Sequence, residues 1–550
     1  MSSDESVFGA TSHADWAEMV AKLLGGAPPE SLNRIDEDGL AVSALYEIDP
    51  TVGTEARPAP QLPQAPADRV RYGWDICQPI FLADLQQTTL TAANSSILTA
   101  LETGASSLWL SSDEDITAVL PTLFDQVRLP AISVTITAPA AAGDVLESLQ
   151  TLAGDEAISL HLTHSPVCPS AIATGLGLVD QPGLKGLFMA DGWALHNQGH
   201  TNIAELAAVL AGVAAVLRAG HAAGHDLAAL TSRISLTVAL PADMFDGIAK
   251  LRAMRQLLTS LFAGLALDPT KLPRLIGRPS LRMMSLLDPE ENMLRTTTAL
   301  LGGAIGGADA MVALGHDYLS GESEAARRLA RMTQLMMIEE SGLARSLDPA
   351  GGSAFIENRT DDLASAAWTR FQTIEAQGGL PVFAEAGSLA AWAKAANARR
   401  EAALRAGKMQ LVGVTLQPAP DDPASLAALP ENPVRPAALV EVIRREATAT
   451  PPRILVLRAE HPDTAQSKRE QAVIRLLAIA GLHPVVLGCG ADQDAALAAA
   501  RPDIIISCLD ADDSAADTLP PECLLVDAGE LLADADQLGR LRAMIAGAAA

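Results

Sequence analysis

The chain has 550 residues, more than one hydrophobic core usually organises, since single cores stop growing near roughly 250–300 residues. Its composition, 49% hydrophobic, 3% aromatic and 19% charged, excludes a disordered or low-complexity protein. The formal net charge is −27, from 39 Lys and Arg against 66 Asp and Glu. Because so acidic a surface repels phosphate backbones and anionic lipids, we expect a globular protein of several domains with no nucleic acid and no membrane as partner.

The cysteines and the N-terminal residues predict a cytoplasmic location. Five cysteines form no CxxC pair and no regular framework, which is typical of thiols in a reducing compartment. The first residues, Met1–Asp15, show neither the basic nor the apolar region of a signal peptide.

Residues 1–80 are predicted to form an extended arm. Trp16, Met19 and Val20 have helical spacing, but the prolines between Pro58 and Pro66 interrupt any longer regular element. An arm of this kind lacks its own core and wraps either a partner or the rest of its chain.

Residues 81–414 are predicted to form a (β/α)₈ TIM-type barrel with a helical tail. Short β-rich runs recur at Ser107–Leu110, Ala131–Ile136, Ile158–Thr163, Leu187–Ala190, Ile234–Ala239 and Leu281–Ser285. Helical stretches such as Ala204–Arg218 and Met244–Phe262 lie between several of these runs. Alternating strands and helices favour a parallel sheet, and the length of about 300 residues suits a barrel.

Two further helices are marked by their first residues. Asp288–Glu291 offers an N-cap, a proline in the first turn and two acids at the positive helix end. Thr360–Asp362 predicts the start of a second helix, which Gly378 would close.

The C-terminal part is predicted to be a separate α/β domain. Eight prolines in residues 415–452 indicate a semi-rigid linker. Beyond it, residues 453–550 alternate β-rich runs, at Arg453–Leu457, Pro484–Leu487, Ile504–Cys508 and Leu524–Asp527, with Ala-rich helical sequence. This pattern predicts a doubly wound, flavodoxin-like domain.

Two motifs carry a resemblance to a known family. The segment Asp288–Thr298 and the segment Ile338–Ser353, which contains Glu-Glu-Ser-Gly and Asp-Pro-Ala-Gly-Gly-Ser, resemble the adenosylcobalamin-dependent acyl-CoA mutases around methylmalonyl-CoA mutase. The resemblance implies a barrel followed by a cobalamin-binding-type domain. Independently of it, Asp348–Gly352 is good turn chemistry and Gly302 permits close helix packing.

The position of the expected cobalt ligand departs from the family pattern. The resemblance implies Asp-x-His-x-x-Gly in the first loop of the C-terminal domain, but Pro462, Thr464 and Ser467 stand at those three places. His461 is the nearest imidazole and therefore the one candidate for cofactor binding. We favour a solvated loop histidine and a degenerate cobalamin-binding-like domain.

The expected catalytic positions of the barrel depart as well. Ala194 stands where the family carries its catalytic histidine, and residues 82–130 are shorter than the substrate-facing segment of active chains. Polar family residues are also lost in two further places, namely at Met283 and Met284 and along Ala308–Val312. We therefore expect no catalytic residue in this chain.

Three residues remain as catalytic candidates within that expectation: His196, Asn197 and Arg282. His196-Asn197-x-Gly199 resembles the small, non-catalytic chain of the heterodimeric mutases, and Arg282 keeps the arginine of a substrate-contacting motif. The resemblance thus implies a small subunit whose large catalytic partner carries adenosylcobalamin and the acyl-CoA. The alternative is an active mutase in which His461 ligates cobalt and His196 acts as the acid.

A second alternative is a metal-dependent barrel hydrolase. His196-x-x-x-His200 and His221-x-x-x-His225 could each place two imidazoles on one helix face. No third ligand has suitable spacing, so we expect no metal. A basic run at Lys271, Arg274, Arg278 and Arg282 could hold an anion, although pairing with acids is favoured.

Overall fold

The computed structural model describes residues 12–47, 73–82, 86–138, 142–419, 434–489, 493–509 and 523–548. These residues form an N-terminal hairpin region, a closed parallel barrel and a C-terminal four-stranded sheet.

The barrel has eight strands, all paired in parallel, in the order β10-β3-β4-β5-β6-β7-β8-β9. Its strands are β3 (Asp75–Leu82), β4 (Ser107–Ser112), β5 (Ser133–Thr137), β6 (Ser159–His164), β7 (Leu184–Asp191), β8 (Ile234–Leu240), β9 (Arg274–Pro279) and β10 (Ala310–Val312). The predicted TIM-type barrel is therefore confirmed.

Helices surround the barrel and continue into a helical tail. They are α2 (Gln87–Glu102), α3 (Leu120–Leu123), α4 (Ala142–Ala153), α5 (Pro169–Leu176), α6 (Gly192–Asn197), α7 (Asn202–Ala222), α8 (Leu227–Thr231), α9 (Met244–Gly264), α10 (Glu291–Ile305), α11 (Glu324–Glu339), α12 (Ala354–Ala376), α13 (Leu380–Glu385) and α14 (Ser388–Arg405). Among the helices described, α7 alone is long and apolar enough to span a membrane by length and composition, and most of it is buried in the protein.

Alternate strand residues serve two cores. Ile76, Leu108 and Leu275 face outward and join the large core between strands and helices. Cys77, Trp109, Met189, Ile276, Ala310 and Val312 form a separate cluster inside the barrel. Side chains thus fill the barrel axis, as in other barrels of eight strands.

One predicted barrel strand is wrong. Leu281–Ser285 was expected to be extended, but Leu281–Met283 forms a short 3₁₀ turn, and the strand is Arg274–Pro279. Its two arginines had instead been interpreted as part of a basic run that pairs with acids. The first barrel strand also begins at Asp75, six residues before the boundary expected at residue 81.

The two predicted helix starts had different outcomes. Helix α10 begins close to the predicted start, at Glu291, but its N-cap is Glu290 without a side-chain hydrogen bond, so the N-cap expected at Asp288 is wrong. Gly302 of this helix lies so close to α9 that an added Cβ would approach the Met244 carbonyl to 2.9 Å. The start at Thr360 is wrong, because α12 already begins at Ala354 and runs past it. The helix does end just before Gly378, which has a φ of +100°.

The signature segment connects α11 to α12. Its Asp348 adopts a φ of 43° and forms an ion pair with Arg252 of α9. Arg252 also contacts Glu357 at 2.7 Å, so one buried guanidinium holds the turn against α9 and α12. The motif therefore has a structural role here, in agreement with its turn chemistry.

The C-terminal sheet has four parallel strands in the order β12-β11-β13-β14, which confirms the flavodoxin-like prediction. The strands are β11 (Ile454–Arg458), β12 (Val485–Gly488), β13 (Ile504–Ser507) and β14 (Leu524–Asp527). The helices are α15 (Ala437–Ala449), α16 (Thr464–Ile479), α17 (Gln493–Ala500), α18 (Ala528–Ala533) and α19 (Gln537–Ala548).

Helix α15 lies within the range expected to be a linker, residues 415–452, and it joins the two domains. Arg435, just before it, forms two hydrogen bonds with Glu441, at 2.6 and 2.7 Å, and both side chains are fully buried. Glu441 also accepts the backbone N–H of Leu286, in the segment after β9, at 2.9 Å. Only the part of the range outside the helix can act as an extended connector.

The described part of the arm binds its own barrel. It contains α1 (His13–Leu23) and the short antiparallel pair β1 (Arg34–Ile35) and β2 (Ala41–Val42). Three consecutive acids occupy the turn between these strands, namely Asp36, Glu37 and Asp38. The prolines expected to interrupt regular structure in the arm, Pro58–Pro66, lie outside the described residues.

Candidate functional site at the barrel mouth

The three catalytic candidates lie together at the carboxyl end of the barrel. His196 and Asn197 belong to α6, which follows β7 directly, and Arg282 lies in the 3₁₀ turn after β9. Gly192 allows α6 to start against β8, since an added Cβ would approach the Thr237 carbonyl to 2.6 Å. Barrel enzymes place their chemistry at this end, so the candidates have the right location.

His196 is held in a buried polar triad. Its Nδ1 lies 2.9 Å from Glu205, which also accepts the Lys250 ammonium at 2.6 Å. Burial lowers the pKa of His196 well below its usual value, and the cations Arg282 and Lys250 lower it further. The ring is therefore neutral and donates a hydrogen bond from Nδ1 to Glu205. A neutral imidazole cannot act as an imidazolium acid, so the role of this ring is structural.

The triad is tied to the last residues of β8. Glu205 accepts the backbone N–H of Ala239 at 2.9 Å, and Lys250 donates to the carbonyl of the same residue at 2.9 Å. Glu205 and Lys250 are both fully buried. The triad therefore uses its charges to fix helices α7 and α9 to the barrel.

Asn197 clamps the mouth to the segment that follows β9. Its Oδ1 accepts the backbone N–H groups of Leu281 and Arg282, at 3.1 and 3.3 Å. Its backbone carbonyl accepts the N–H of Val434 at 3.1 Å, at the approach to α15. The amide oxygen is therefore occupied by structural hydrogen bonds, whereas the buried Nδ2 has no hydrogen-bond partner among the described residues.

Arg282 joins the mouth to the arm. It donates to the carbonyl of His200 at 2.7 Å and forms an ion pair with Glu37 at 3.0 Å. Arg400 of α14 binds the other oxygen of Glu37 at 2.6 Å. Burial raises the pKa of Glu37, but the charges of the two arginines outweigh burial and leave the pKa below its usual value.

The neighbouring acids of the arm turn complete this attachment. Asp36 forms an ion pair with Arg359, a buried side chain that also binds Asp246 at 2.8 Å. Asp38 accepts the N–H of Ile203, in the first turn of α7, at 3.4 Å. Burial raises the pKa of Asp38 to about 6; a hydrogen bond from Thr201 counteracts burial, whereas the charge of Glu37 adds to it.

The two HxxxH pairs do not lie on single helices. Helix α6 ends at Asn197, before His200, and α7 ends at Ala222, before His225. The ring nitrogens of His200 lie 2.8 and 3.0 Å from the carbonyls of Leu195 and Leu389. Within the ranges given above, no three His, Cys, Asp or Glu side chains are grouped as metal ligands.

Arg278 stacks against two tryptophan side chains at the end of the barrel interior. The sequence did not predict this arrangement. The guanidinium carbon of Arg278 lies 4.5 Å from the ring centroid of Trp109 and 3.6 Å from that of Trp193. The ring N–H groups of the indoles donate to Thr137 and to the Pro279 carbonyl, both at 2.9 Å. If Arg274–Pro279 had been recognised as a strand, Arg278 would have been placed near its carboxyl end, on the side that faces the barrel interior.

Apolar side chains lie beside this stack, where the family carries polar ones. Met284 is fully buried in a cluster with Leu281 and Leu314, and Met283 and Trp193 pack against that cluster. Met283 and Met284 therefore pack the mouth with apolar groups that cannot transfer protons.

The loop after β11 does not fit cobalt ligation. His461 is exposed, and no hydrogen bond to its ring is found among the described residues. Asp463, two residues after His461, instead caps α16 by accepting the N–H of Gln466 at 2.7 Å. A cobalt-bound imidazole needs an oriented second nitrogen, and the described residues supply no group to orient it.

Comparisons with known proteins agree with these observations. A family model described as methylmalonyl-CoA mutase matches residues 185–444. A probable methylmalonyl-CoA mutase small subunit of Mycobacterium tuberculosis (strain H37Rv) is 32% identical over 530 residues, covering 88% of this chain and 84% of the relative. The methylmalonyl-CoA mutase small subunit of Streptomyces virginiae is 31% identical over 555 residues, covering 92% and 88%.

The similarity to a large subunit is shorter. The methylmalonyl-CoA mutase large subunit of Streptomyces virginiae is 33% identical over 228 residues, covering 40% of this chain and 31% of the relative. The agreement with small subunits, by contrast, extends over the barrel and the C-terminal domain together. The chain belongs to the methylmalonyl-CoA mutase family.

Proposed function

We propose that this chain is the small, non-catalytic subunit of a heterodimeric methylmalonyl-CoA mutase. Its large partner would bind adenosylcobalamin and the acyl-CoA and interconvert (R)-methylmalonyl-CoA and succinyl-CoA by a radical rearrangement. This chain would keep the partner folded and correctly arranged. We place the complex in the cytoplasm; the five cysteines are all free thiols.

The observation that carries this proposal is the use of the candidate catalytic groups. His196 is held by Glu205, Asn197 accepts two backbone amides, and Arg282 binds a carbonyl and Glu37. Each of these side chains is engaged in fixing the mouth, the arm or the segment after β9. The exposed His461 adds support, because its loop has the wrong chemistry for a cofactor ligand.

Reconstitution with a catalytic large subunit tests the proposal. The large subunit alone is expected to be unstable or weakly active, and equimolar addition of this chain is expected to restore activity. The matched variant is Arg282→Met, which breaks the attachment of the arm and should weaken the restoring effect. An isolated large subunit that is fully active and stable without this chain would contradict the proposal.

The alternative of an active chain makes a different prediction. If His461 ligated cobalt and His196 acted as the acid, His461→Ala and His196→Ala would each abolish turnover of the complex. We expect His461→Ala to leave turnover unchanged. We expect His196→Ala to lower the free energy of unfolding, because it removes a buried hydrogen-bond partner of Glu205, and to leave the turnover of the folded complex unchanged. Unfolding and turnover are therefore measured on the same preparation.

A further inference from the structure

Arg278 differs from the other arginines of the barrel mouth. Arg282, Arg359 and Arg400 each bind a carboxylate. Among the described residues, by contrast, the side chain of Arg278 forms no hydrogen bond and no ion pair, and its buried Nε has no acceptor. A guanidinium carries five N–H donors in one plane, so these donors remain available for a ligand.

The surroundings hold this cation in one orientation. Trp109 and Trp193 cover the guanidinium, and each indole is fixed by a hydrogen bond from its own ring N–H. Because the indoles stack on the cation, an acceptor has to approach at its edge. Arg278 remains partly exposed, so a small solute can reach that edge.

A second donor packs on the apolar cluster that Trp193 also contacts. It is Tyr318, and no hydrogen bond to its hydroxyl occurs within the described ranges. Burial raises the pKa of Tyr318; the charge of Arg278 lowers the pKa and that of Glu322 raises it, so the phenol is protonated. A phenol O–H and a guanidinium together suit an oxygen anion.

Asp191 does not form an ion pair with Arg278. Asp191 acts on Arg278 through its charge, but its Oδ1 accepts the N–H of Ala194 at 3.0 Å and the hydroxyl of Thr237. Because the carboxylate is held by these groups, Arg278 keeps its donors without an ion pair. We propose that the barrel mouth of this chain binds a small oxyanion, a carboxylate or a phosphate group, through Arg278 and Tyr318.

The site is distinct from catalysis and does not depend on the proposed function. It offers one cation stacked on two indoles and one hydroxyl, so the expected dissociation constant is on the order of 1 mM. The tryptophans in contact with the cation supply the signal, because an anion at the guanidinium edge changes their surroundings.

Tryptophan fluorescence of the full-length chain tests the proposal. Sodium acetate and inorganic phosphate are titrated separately at constant ionic strength, with sodium chloride as the reference, so that the two arms distinguish carboxylate from phosphate. Saturable change with either oxyanion supports the site. Linear change with both, equal to that with chloride, would overturn it.

Variants assign the signal to the two donors. Arg278→Met should weaken binding by about 10- to 100-fold, and Tyr318→Phe by about 2- to 10-fold, as expected for a charged and a neutral hydrogen bond. Arg370→Met is the matched control, because Arg370 lies 4.7 Å from the Trp392 ring elsewhere in the protein. A saturable response that persists in folded Arg278→Met protein would contradict the assignment.

If Arg278→Met fails to fold, Arg278→Lys keeps the charge but loses the planar fork, and it should weaken binding several-fold. Isothermal titration of the wild-type chain with acetate and phosphate provides a second direct reading. Absence of binding there would overturn the proposal whatever the variants do. Because these titrations need no large subunit, they fail or succeed independently of the reconstitution described above.

Discussion

The barrel mouth and the loop after β11 use their polar residues in different ways. At the mouth, polar residues remain but are buried and paired, as in the triad of His196, Glu205 and Lys250. In the C-terminal loop, His461 is exposed and Asp463 has become a helix cap. The comparison teaches that polar side chains are buried and paired where elements of the fold meet, and are exposed where they do not.

Breaking the triad should have the largest effect. Lys250→Met leaves Glu205 buried without its cation, and we expect the free energy of unfolding to fall by about 3–5 kcal/mol. Urea denaturation measures this loss. The control is Arg542→Met, whose partner Glu446 is solvent-exposed, and whose loss should cost less than about 1 kcal/mol. Equal losses in the two variants would contradict the distinction between buried and exposed pairs.

The junction between the domains should come next. Glu441→Gln removes the charge that Arg435 binds but leaves an oxygen for the N–H of Leu286, so we expect a loss of about 2–3 kcal/mol. Amide hydrogen exchange should rise in α15 and in the segment after β9, while the barrel strands stay protected. Unchanged exchange in α15 would show that this ion pair does not join the two domains.

The attachment of the arm should depend on pH in a defined direction. Burial raises the pKa of Asp38 to about 6, above its unfolded value of 3.8, so the folded state binds the extra proton. The resulting stabilisation is complete below pH 4 and is lost as pH rises through 6. The low pKa of Glu37 has the opposite effect, but only as pH falls below 4.5, the usual pKa of a glutamate carboxyl.

Limited proteolysis of the arm measures this dependence. The wild-type arm should be cut several-fold more slowly at pH 5.5 than at pH 7.5. Asp38→Asn should remove most of that difference and protect the arm at pH 7.5. If cleavage of the variant keeps the pH dependence of the wild type, Asp38 is not the group responsible.

The smallest effect is expected at His461. Because its side chain is exposed and free of hydrogen bonds among the described residues, His461→Ala should change the free energy of unfolding by less than about 0.5 kcal/mol. Thermal unfolding of the C-terminal domain within the full-length chain measures this change in stability directly. A clear destabilisation would mean that the loop has a structural role that the exposed position does not suggest.

The sequence predicts the architecture better than the site. Apolar runs such as Ile234–Ala239 are strands because burial on both faces selects β-branched and apolar residues. The strand Arg274–Pro279 was missed because its arginines serve the barrel interior, which local patterning does not reveal. Likewise, His196 and Glu205 are nine residues apart, but only the packing of α6, α7 and α9 brings Lys250 to them.

The central claim, that this chain supports a catalytic partner without binding the cofactor, is tested most directly by cobalamin stoichiometry. Adenosylcobalamin is added in excess to the lone chain and to the reconstituted heterodimer, unbound cofactor is removed, and the retained corrin is measured by absorbance. We predict none on the lone chain and one per heterodimer. One cobalamin on the lone chain, or two per heterodimer, would contradict the account.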